Sequence, residues 1–433
     1  RKIRSPAKLN QLKKPGVMKS KFSPRSSSKW RGILDLVAQA AKNKNREIDV
    51  DEIIRISDER KRVRTELDAL NQQRKLAAQK RDHALGSQIK TDLEDLEAQY
   101  AELDKQFVAL MIKVPNIYSA DTPVAPDEGG NKVIRSWGEP TKFDFAPKEH
   151  DEIGKALGII DIETAAEVAG SRFTYLKGPL VLMQFALIQF VLKILVEKGF
   201  TPVIPPVFVK PAVQNRMARF MTPDDHYMFP ADDLMLIGSA EHTLGPICMD
   251  KIIEEKDLPI RLAGYSTAFR REAGTYGKDT KGILRQHQFD KLEMESFSLP
   301  EESLKEQEFL VSIQEEILQA LSLPYQVVIV STGDMAFPDY RQIDIETWMP
   351  GQGKYRETHS ADLTGNFQSR RLNARVKRAD GSIEPVHMND ATAVAIGRTL
   401  IAIIENYQRA DGSIKIPDVL VPYMNGLSEI KAK

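Results

Sequence analysis

Two stretches of this chain repeat apolar residues at alternating spacings of three and four, and that period dictates a pair of long helices before anything else is settled. In the first, Ile56, Val63, Leu67, Leu70, Ala77 and Ala84 hold the seam, with Arg74 and Arg81 filling the intervening places. In the second, Ile89, Leu93, Leu96, Tyr100, Leu103, Phe107 and Leu110 hold it without interruption. Gly86 marks the expected break between them. Arms of about 28 residues would each run roughly 40 Å at about 1.5 Å per residue, longer than most globular helices. An antiparallel hairpin that thin buries one seam and leaves its outer faces to solvent or a partner. Arg62, Arg64, Lys75, Lys80 and Arg81 crowd the half nearest the tip, where a phosphate backbone could lie. A dimerisation or spacer coiled coil is the plainer alternative.

Charge is balanced overall, with 61 basic and 61 acidic side chains, but not along the chain. No acidic residue precedes Asp35, whereas basic residues recur from Arg1 to Arg31, so a basic, flexible head is expected over residues 1–32. A transit-peptide remnant, an RNA-touching extension and an unstructured leader all fit that composition. The single cysteine, Cys248, forms no internal disulfide and favours a reducing compartment, and any metal must be held by oxygen or imidazole. The most apolar stretch, 180–196, is interrupted by Gln184, Gln189 and Lys193 and reads as a buried helix, with no membrane anchor.

Pro115 and the turn-rich loop 122–130 mark a linker. Candidate strands follow at 199–209, 262–272, 285–297, 326–330, 342–348 and 373–377. Their tight connections suggest an antiparallel sheet with flanking helices, an α+β fold. Neither common glycine-rich nucleotide loop is present. In Ala268-Phe269-Arg270-Arg271-Glu272-Ala273-Gly274 and Arg285-Gln286-His287-Gln288-Phe289-Asp290-Lys291-Leu292-Glu293, strand alternation projects Arg270 with Glu272, and Phe289 with Lys291 and Glu293. A guanidinium fork grips phosphate, Phe stacks on a purine, and carboxylates accept from amino groups. An edge hairpin whose polar face meets water would give the same pattern.

Phe269-Arg270-Arg271-Glu272 with Phe289 resembles the second signature motif of class II aminoacyl-tRNA synthetases. Gly397-Arg398-Thr399-Leu400 resembles the third, and Gly199-Phe200 followed by Pro206 the first. More closely, Gly274-Thr275-Tyr276-Gly277-Lys278-Asp279-Thr280-Lys281-Gly282, Thr332-Gly333-Asp334-Met335 and Glu405-Asn406-Tyr407-Gln408 resemble the seryl-tRNA synthetase family, as does the helical hairpin. The resemblance implies a class II antiparallel sheet at 118–433 and a coiled-coil tRNA-binding arm at 33–117. It implies that Arg270 contacts the ATP α-phosphate and the substrate carboxylate, Glu272 and Phe289 the adenine, and Arg285 and Arg398 the outer phosphates. Arg270 and Arg398 would be the catalytic pair. Glu357 and Ser360 match the family's divalent-metal ligands, expected to hold Mg²⁺. Ser239, Glu241, Arg270, Glu293, Asp390 and Thr392 would surround serine.

Serine, ATP and tRNA(Ser) are therefore the expected partners, with tRNA(Sec) a further candidate, in a homodimer without membrane contact. The expected compartment is the cytoplasm, with an organellar matrix as the alternative raised by the acid-free head. A catalytically silent paralogue would have lost Arg270, Glu272, Arg398 or the metal pair, and all remain. An enzyme charging a carrier protein would have no use for the hairpin. Four departures from the family pattern stand out: Gly238 for Pro, Ser239 for Thr, Asp390 for Asn, and the segment 360–365, which lacks the cysteines and serines common there. Asp390 adds a carboxylate beside the pocket that could weaken serine binding or alter selectivity, but none of the departures removes a phosphate or metal contact, and they read as drift within an active enzyme.

Overall fold

A computed structural model describes residues 28–219, 223–273 and 281–432. Most of the basic head and residues 274–280 of the loop after Arg270 lie outside the described residues. Helix α1 (Ser28–Asn43) leads into α2 (Val50–Gln79) and α3 (His83–Met111), the two arms of the hairpin. Asp49 and Asp82 cap the arms by accepting the backbone N–H groups of Glu52 and Leu85. The seam packs as its spacing requires, with Ile56, Val63, Leu67, Ala77, Ile89, Leu93 and Leu103 buried. Two details differ from expectation. Ala84, Arg74 and Arg81 are exposed, and the chain reverses at Arg81, whose φ is 54°. Gly86 lies inside α3, because the Asp82 cap starts that helix before the glycine is reached.

Eight strands form the main sheet: β1 (Lys132–Trp137), β2 (Thr201–Val203), β3 (Ile260–Phe269), β4 (Gln288–Ser298), β5 (Tyr325–Ile329), β6 (Arg341–Met349), β7 (Lys354–Gly365) and β8 (His387–Ala395). Their order is β1-β5-β6-β7-β8-β4-β3-β2, antiparallel throughout except for the parallel edge pair β2–β3. The expected strand 199–209 is two short strands in different sheets, since Pro205 and Pro206 withhold the N–H groups a continuous ladder needs. The expected strand at 373–377 belongs to a separate three-stranded sheet. Strands β1, β7 and β8 were not anticipated.

On the sheet's packed face, Leu292 and Met294 of β4, Ile343 and Ile345 of β6, and Ala391 of β8 meet three helices. These are α4 (Pro179–Glu197), α5 (Ser303–Ala320) and α6 (Ile396–Asn406). The apolar stretch expected to be a core helix is α4, with Met183, Leu187, Val191 and Leu195 fully buried. It is also the one described helix long and apolar enough to cross a membrane. Side chains on the opposite face of β4 and β8 open towards a cleft. Between β7 and β8 the ladder runs up to Ala361 opposite Ala391. Past that point the buried Gln314 of α5 donates from Nε2 to the carbonyls of Ser360 and Thr392, at 2.8 Å each. One amide thus ties the cleft ends of both strands to the core helix.

Gln314→Leu keeps the volume but leaves two buried carbonyls without that donor. The expected cost is about 2 kcal/mol, read as a lower urea midpoint at unchanged slope. An unchanged midpoint would mean that the strands hold their positions without the amide.

Candidate active site

Strand β3 ends at Phe269 and β4 begins at Gln288, so Arg270, Glu272 and Arg285 lie just beyond the ladder and not within it. The Arg270 N–H still donates to the His287 carbonyl at 3.0 Å, which extends the pairing by one bond. Arg270 Nε donates to the Gly238 carbonyl at 3.1 Å, and its guanidinium carbon lies 5.4 Å from the Phe289 ring centre. Glu272 is in the left-handed region, φ 53°, and its carboxylate accepts from Arg285 Nη1 at 2.7 Å. The expected strand extension to Glu272 is therefore replaced by a turn that folds the acid back towards Arg285.

A cleft of about 340 Å³ gathers Arg270, Glu272, Arg285, Phe289, Glu293, Glu357, Ser360, Asp390, Thr392 and Arg398, together with Glu241. Every expected site residue lines it except Ser239, which is fully buried behind the wall and reaches Glu293 Oε2 from Oγ at 3.4 Å. Two irregularities in the sheet produce this convergence. In β7, Glu357 faces Glu346 while His359 faces Ile345, so Thr358 is the extra residue of a bulge. That slip brings Glu357 and Ser360, three apart, to one face. In β8 a second bulge at Ala393 re-phases Ala395 with Thr392 and Asp390, and all three line the cleft.

At one end, Arg285, Glu357 and Arg398 also border a second hollow of about 570 Å³. Arg398, at the start of α6, places Nη1 2.9 Å from Glu357 Oε1. Burial opposes ionisation of Glu357, but Arg398 and Arg270 outweigh it and hold the carboxyl below its ordinary value. No group of three or more His, Cys, Asp or Glu side chains able to hold a metal occurs among the described residues. A carboxylate and a hydroxyl at Glu357 and Ser360 still fit a hard divalent ion that keeps most of its ligands as water or phosphate oxygen. The loop entering β4 is seated from below. Ile283 N–H donates to His150 Nε2 at 3.1 Å, while Nδ1 meets Glu405 Oε1 at 3.0 Å, so the ring is neutral with its proton on Nδ1. Gly282, φ 65°, leaves the room this requires, for a Cβ there would lie 1.9 Å from Nε2.

At the other end, Lys291 Nζ lies 2.6 Å from Glu293 Oε2 and 3.8 Å from Glu241 Oε2, all three buried. Burial raises the Glu293 carboxyl to about 7 against the pull of Lys291, and the neighbouring Glu241 adds to the rise. Burial also opposes the Glu241 charge, yet Lys291, His242 and Arg219 hold that carboxyl at about 2. Sequence reasoning missed Arg219. Its Nη2 lies 3.0 Å from Asp390 Oδ2 and 3.8 Å from Asp362 Oδ2, which sets a cation against the added carboxylate at 390. No motif surrounds Arg219, and its need arises only once Asp362 and Asp390 are buried together in the assembled sheet.

The remaining candidates fall into supporting positions. Gly238, where the family pattern has proline, donates its N–H to His242 Nδ1 at 3.1 Å, a bond proline could not make. His287 donates from Nδ1 to the Arg270 carbonyl at 3.0 Å and does not line the cleft. Cys248 is buried, and burial pushes its thiol up to about 11.

Comparison with known proteins agrees with this geometry. Residues 227–407 match the family model described as tRNA synthetase class II core domain (G, H, P, S and T). The serine--tRNA ligase of Bdellovibrio bacteriovorus is 44% identical over 345 residues, covering 79% of this chain and 80% of that protein. The serine--tRNA ligase of Thermotoga neapolitana is 41% identical over 409 residues, 90% of this chain and 96% of that protein. Among solved structures, seryl-tRNA synthetase from Pyrococcus horikoshii complexed with ATP superposes with a TM-score of 0.87 at 37% identity, covering 93% and 98% of the two chains. With its hairpin, its sheet and its cleft in this arrangement, the chain belongs to the seryl-tRNA synthetase family.

Proposed function

We propose that the protein activates L-serine with ATP to seryl-adenylate and transfers the seryl group to the 3′ end of tRNA(Ser). The observation that carries this reading is the cleft itself, which sets Arg270, Phe289, Glu293 and Arg398 around one volume next to a carboxylate–hydroxyl pair. Adenine would lie against Phe289 with its amino group near Glu272. Serine would place its α-ammonium against Glu293, with Glu241 and Thr392 beside it and Ser239 supporting Glu293 from behind.

The first step is a displacement at the α-phosphorus. A serine carboxylate oxygen bonds to phosphorus as the bond to the β-phosphate oxygen breaks, and pyrophosphate leaves. The carboxylate is already anionic at neutral pH, so no base is required, and the barrier lies in bringing two anions together. Arg270 serves both, since it would touch the carboxylate and the α-phosphate, while Arg398 and Arg285 would receive the departing charge. Mg²⁺ held at Glu357 and Ser360 would supply further charge neutralisation on the phosphates. In the second step the terminal ribose hydroxyl of tRNA attacks the adenylate carbonyl and AMP leaves with the bonding pair. A pocket whose buried polar groups need the serine hydroxyl rejects alanine, because those groups would be left unpaired.

The arm, residues 33–117, would hold the tRNA through backbone contacts and shape, with Arg74, Lys75, Lys80 and Arg81 exposed towards its tip. tRNA(Sec) is included in the proposal on the same grounds of backbone recognition. We place the protein in the cytoplasm, consistent with a lone buried cysteine. A homodimer completes the proposal: Leu182 and Phe185 of α4 are 45% and 51% exposed, and Ile204 beside β2 is 85% exposed, an apolar surface suited to a second copy.

Three outcomes test this reading. Exchange of labelled pyrophosphate into ATP should depend on serine, with alanine and threonine far weaker, and Arg270→Ala should lower it at least about 100-fold. Serine-independent or absent exchange in folded protein would favour the silent paralogue. Below about pH 7, kcat/KM for serine should fall about tenfold per pH unit while KM for ATP stays flat, because protonated Glu293 no longer accepts the α-ammonium. A flat serine profile from about pH 8 to about pH 6 would remove Glu293 from that role. Phe185→Glu with Ile204→Glu should convert a dimer to a monomer in sedimentation velocity; an unchanged dimer would move the interface elsewhere.

A further inference from the structure

The three strands beside the amino-acid end carry acids in direct register. Glu295 of β4 faces Asp390 of β8, and Asp390 faces Asp362 of β7. Opposed residues in a ladder lie about 5 Å apart, so this is a continuous row of three carboxyl groups, of which Asp362 and Asp390 line the cleft and Glu295 does not. All three are buried, at 1%, 4% and 8% exposure. Like charges so placed are mutually unfavourable and cannot all be left to solvent screening.

The three meet different environments. Asp362 Oδ1 accepts from Ser360 Oγ at 2.8 Å. Both oxygens of Glu295 lack a hydrogen-bond partner among the described residues, and burial, then Asp390, push its carboxyl well above the ordinary value, so it is the natural holder of a proton. Asp390 is split between two roles. Arg219 Nη2 donates to its Oδ2 at 3.0 Å, while Oδ1 has no partner among the described residues. Burial pushes the Asp390 carboxyl up, and Arg219 is the first opposing influence. Arg219 itself resists neutralisation, because Asp390, Asp339, Glu241 and Asp362 outweigh its own burial. Ala218, φ 56°, turns the chain immediately before Arg219, and the Arg219 carbonyl is within 3.1 Å of His226 Nε2. The guanidinium is thus delivered to the row from a fixed backbone position, and both Arg219 and Asp390 line the cleft.

We propose that Arg219 is a positioning residue for amino-acid binding: by holding Oδ2 of Asp390 it compensates that carboxylate and so keeps the cleft wall from presenting a net negative charge to the amino-acid substrate. The inference rests on the proposed serine activation and deepens it. It answers how a carboxylate at 390 is compatible with an anionic substrate: the pair presents no net charge to the cleft. It also assigns a dependence. A carboxylate at 390 needs the arginine, whereas a neutral amide there would not. Removing Arg219 alone leaves Asp390 and Asp362 facing each other with Glu295 behind, the arrangement that repels a substrate carboxylate most.

The test is a four-protein cycle of wild type, Arg219→Met, Asp390→Asn and the double variant, each assayed by pyrophosphate exchange with serine and with ATP varied separately. Arg219→Met should raise KM for serine at least tenfold, with KM for ATP within twofold of wild type. Asp390→Asn alone should cost only a few-fold. The double variant should return KM for serine to within about threefold of wild type. Thermal midpoints and ATP binding, measured on all four, separate loss of the pocket from loss of the fold. Rescue with a KM effect confined to serine supports the pairing. A double variant as poor as Arg219→Met, in folded protein that binds ATP, overturns it, as does an Arg219→Met variant with unaltered serine KM. Arg219→Met that no longer binds ATP, with the double variant equally damaged, would make the arginine a fold residue and also overturns the proposal. Wild-type protein without any serine-dependent exchange would instead overturn the functional reading, and this inference with it.

Discussion

Strands β4, β7 and β8 must do two incompatible things at once, and most of the architecture follows from reconciling them. On one face they bury Leu292, Met294, Ala361 and Ala391 against helices; on the other they carry Lys291, Glu293, Asp362, Asp390 and Thr392 into a cleft whose walls are also largely buried. Alternation along a strand supplies the two faces without cost. Charge compensation does not come free, since each acid removed from water needs a cation or a proton. Arg219, Lys291, Arg270 and Arg398 come from four different places in the chain to meet that need, and the cleft exists only where they converge. Removal of any one changes the electrostatics of the rest, which is why neighbouring acids here are held at opposite extremes, Glu241 near 2 and Glu293 near 7.

The reconciliation also explains the departures from regular sheet geometry. A flawless ladder would put Glu357 and Ser360 on opposite faces. The bulge at Thr358 spends one residue to place them together, and Thr358 itself is satisfied by Thr347 Oγ1 at 2.7 Å. Gln314 then supplies donors where β7 and β8 part. His150 and Glu405 do similar work below the loop entering β4, where Glu405 also accepts from the N–H of Gly351 at 2.9 Å and so links that loop to the β6–β7 turn. Each of these buried polar groups makes its hydrogen bond to a segment that carries site residues.

Legibility in the sequence tracked how local the governing physics is. The hairpin could be read because a heptad seam is a property of residues three and four apart, and only its turn was misplaced, since a cap at Asp82 outranks a glycine at 86. Arg270, Glu272 and Phe289 were readable because a short ordered motif fixes them. Strands β7 and β8 were not, because KYRETHSADLTG and HMNDATAVA carry polar residues that mark an exposed loop on any local scale. They are buried strands because the cleft itself is buried, a fact of assembly that no window of sequence contains. Arg219 was missed for the same reason: its meaning lies in Asp390, 171 positions away.

That separation bears on how Asp390 should be understood. Taken alone, an acid in place of an amide beside an anion-binding pocket looks like damage. Taken with Arg219, it exchanges a neutral hydrogen-bonding group for a neutral pair of larger polarity, and the pair is anchored at both ends, by the β7–β8–β4 register on one side and by the turn at Ala218 on the other. A charge-assisted hydrogen bond between guanidinium and carboxylate fixes both groups more firmly than an amide would be fixed by the same arginine. The gain is in the rigidity of the pair. The liability is dependence, for an amide tolerates loss of its neighbour and a buried carboxylate does not. A single substitution at 390 would therefore have been unfavourable without the arginine, and the two residues are one feature of this pocket, to be changed or kept together.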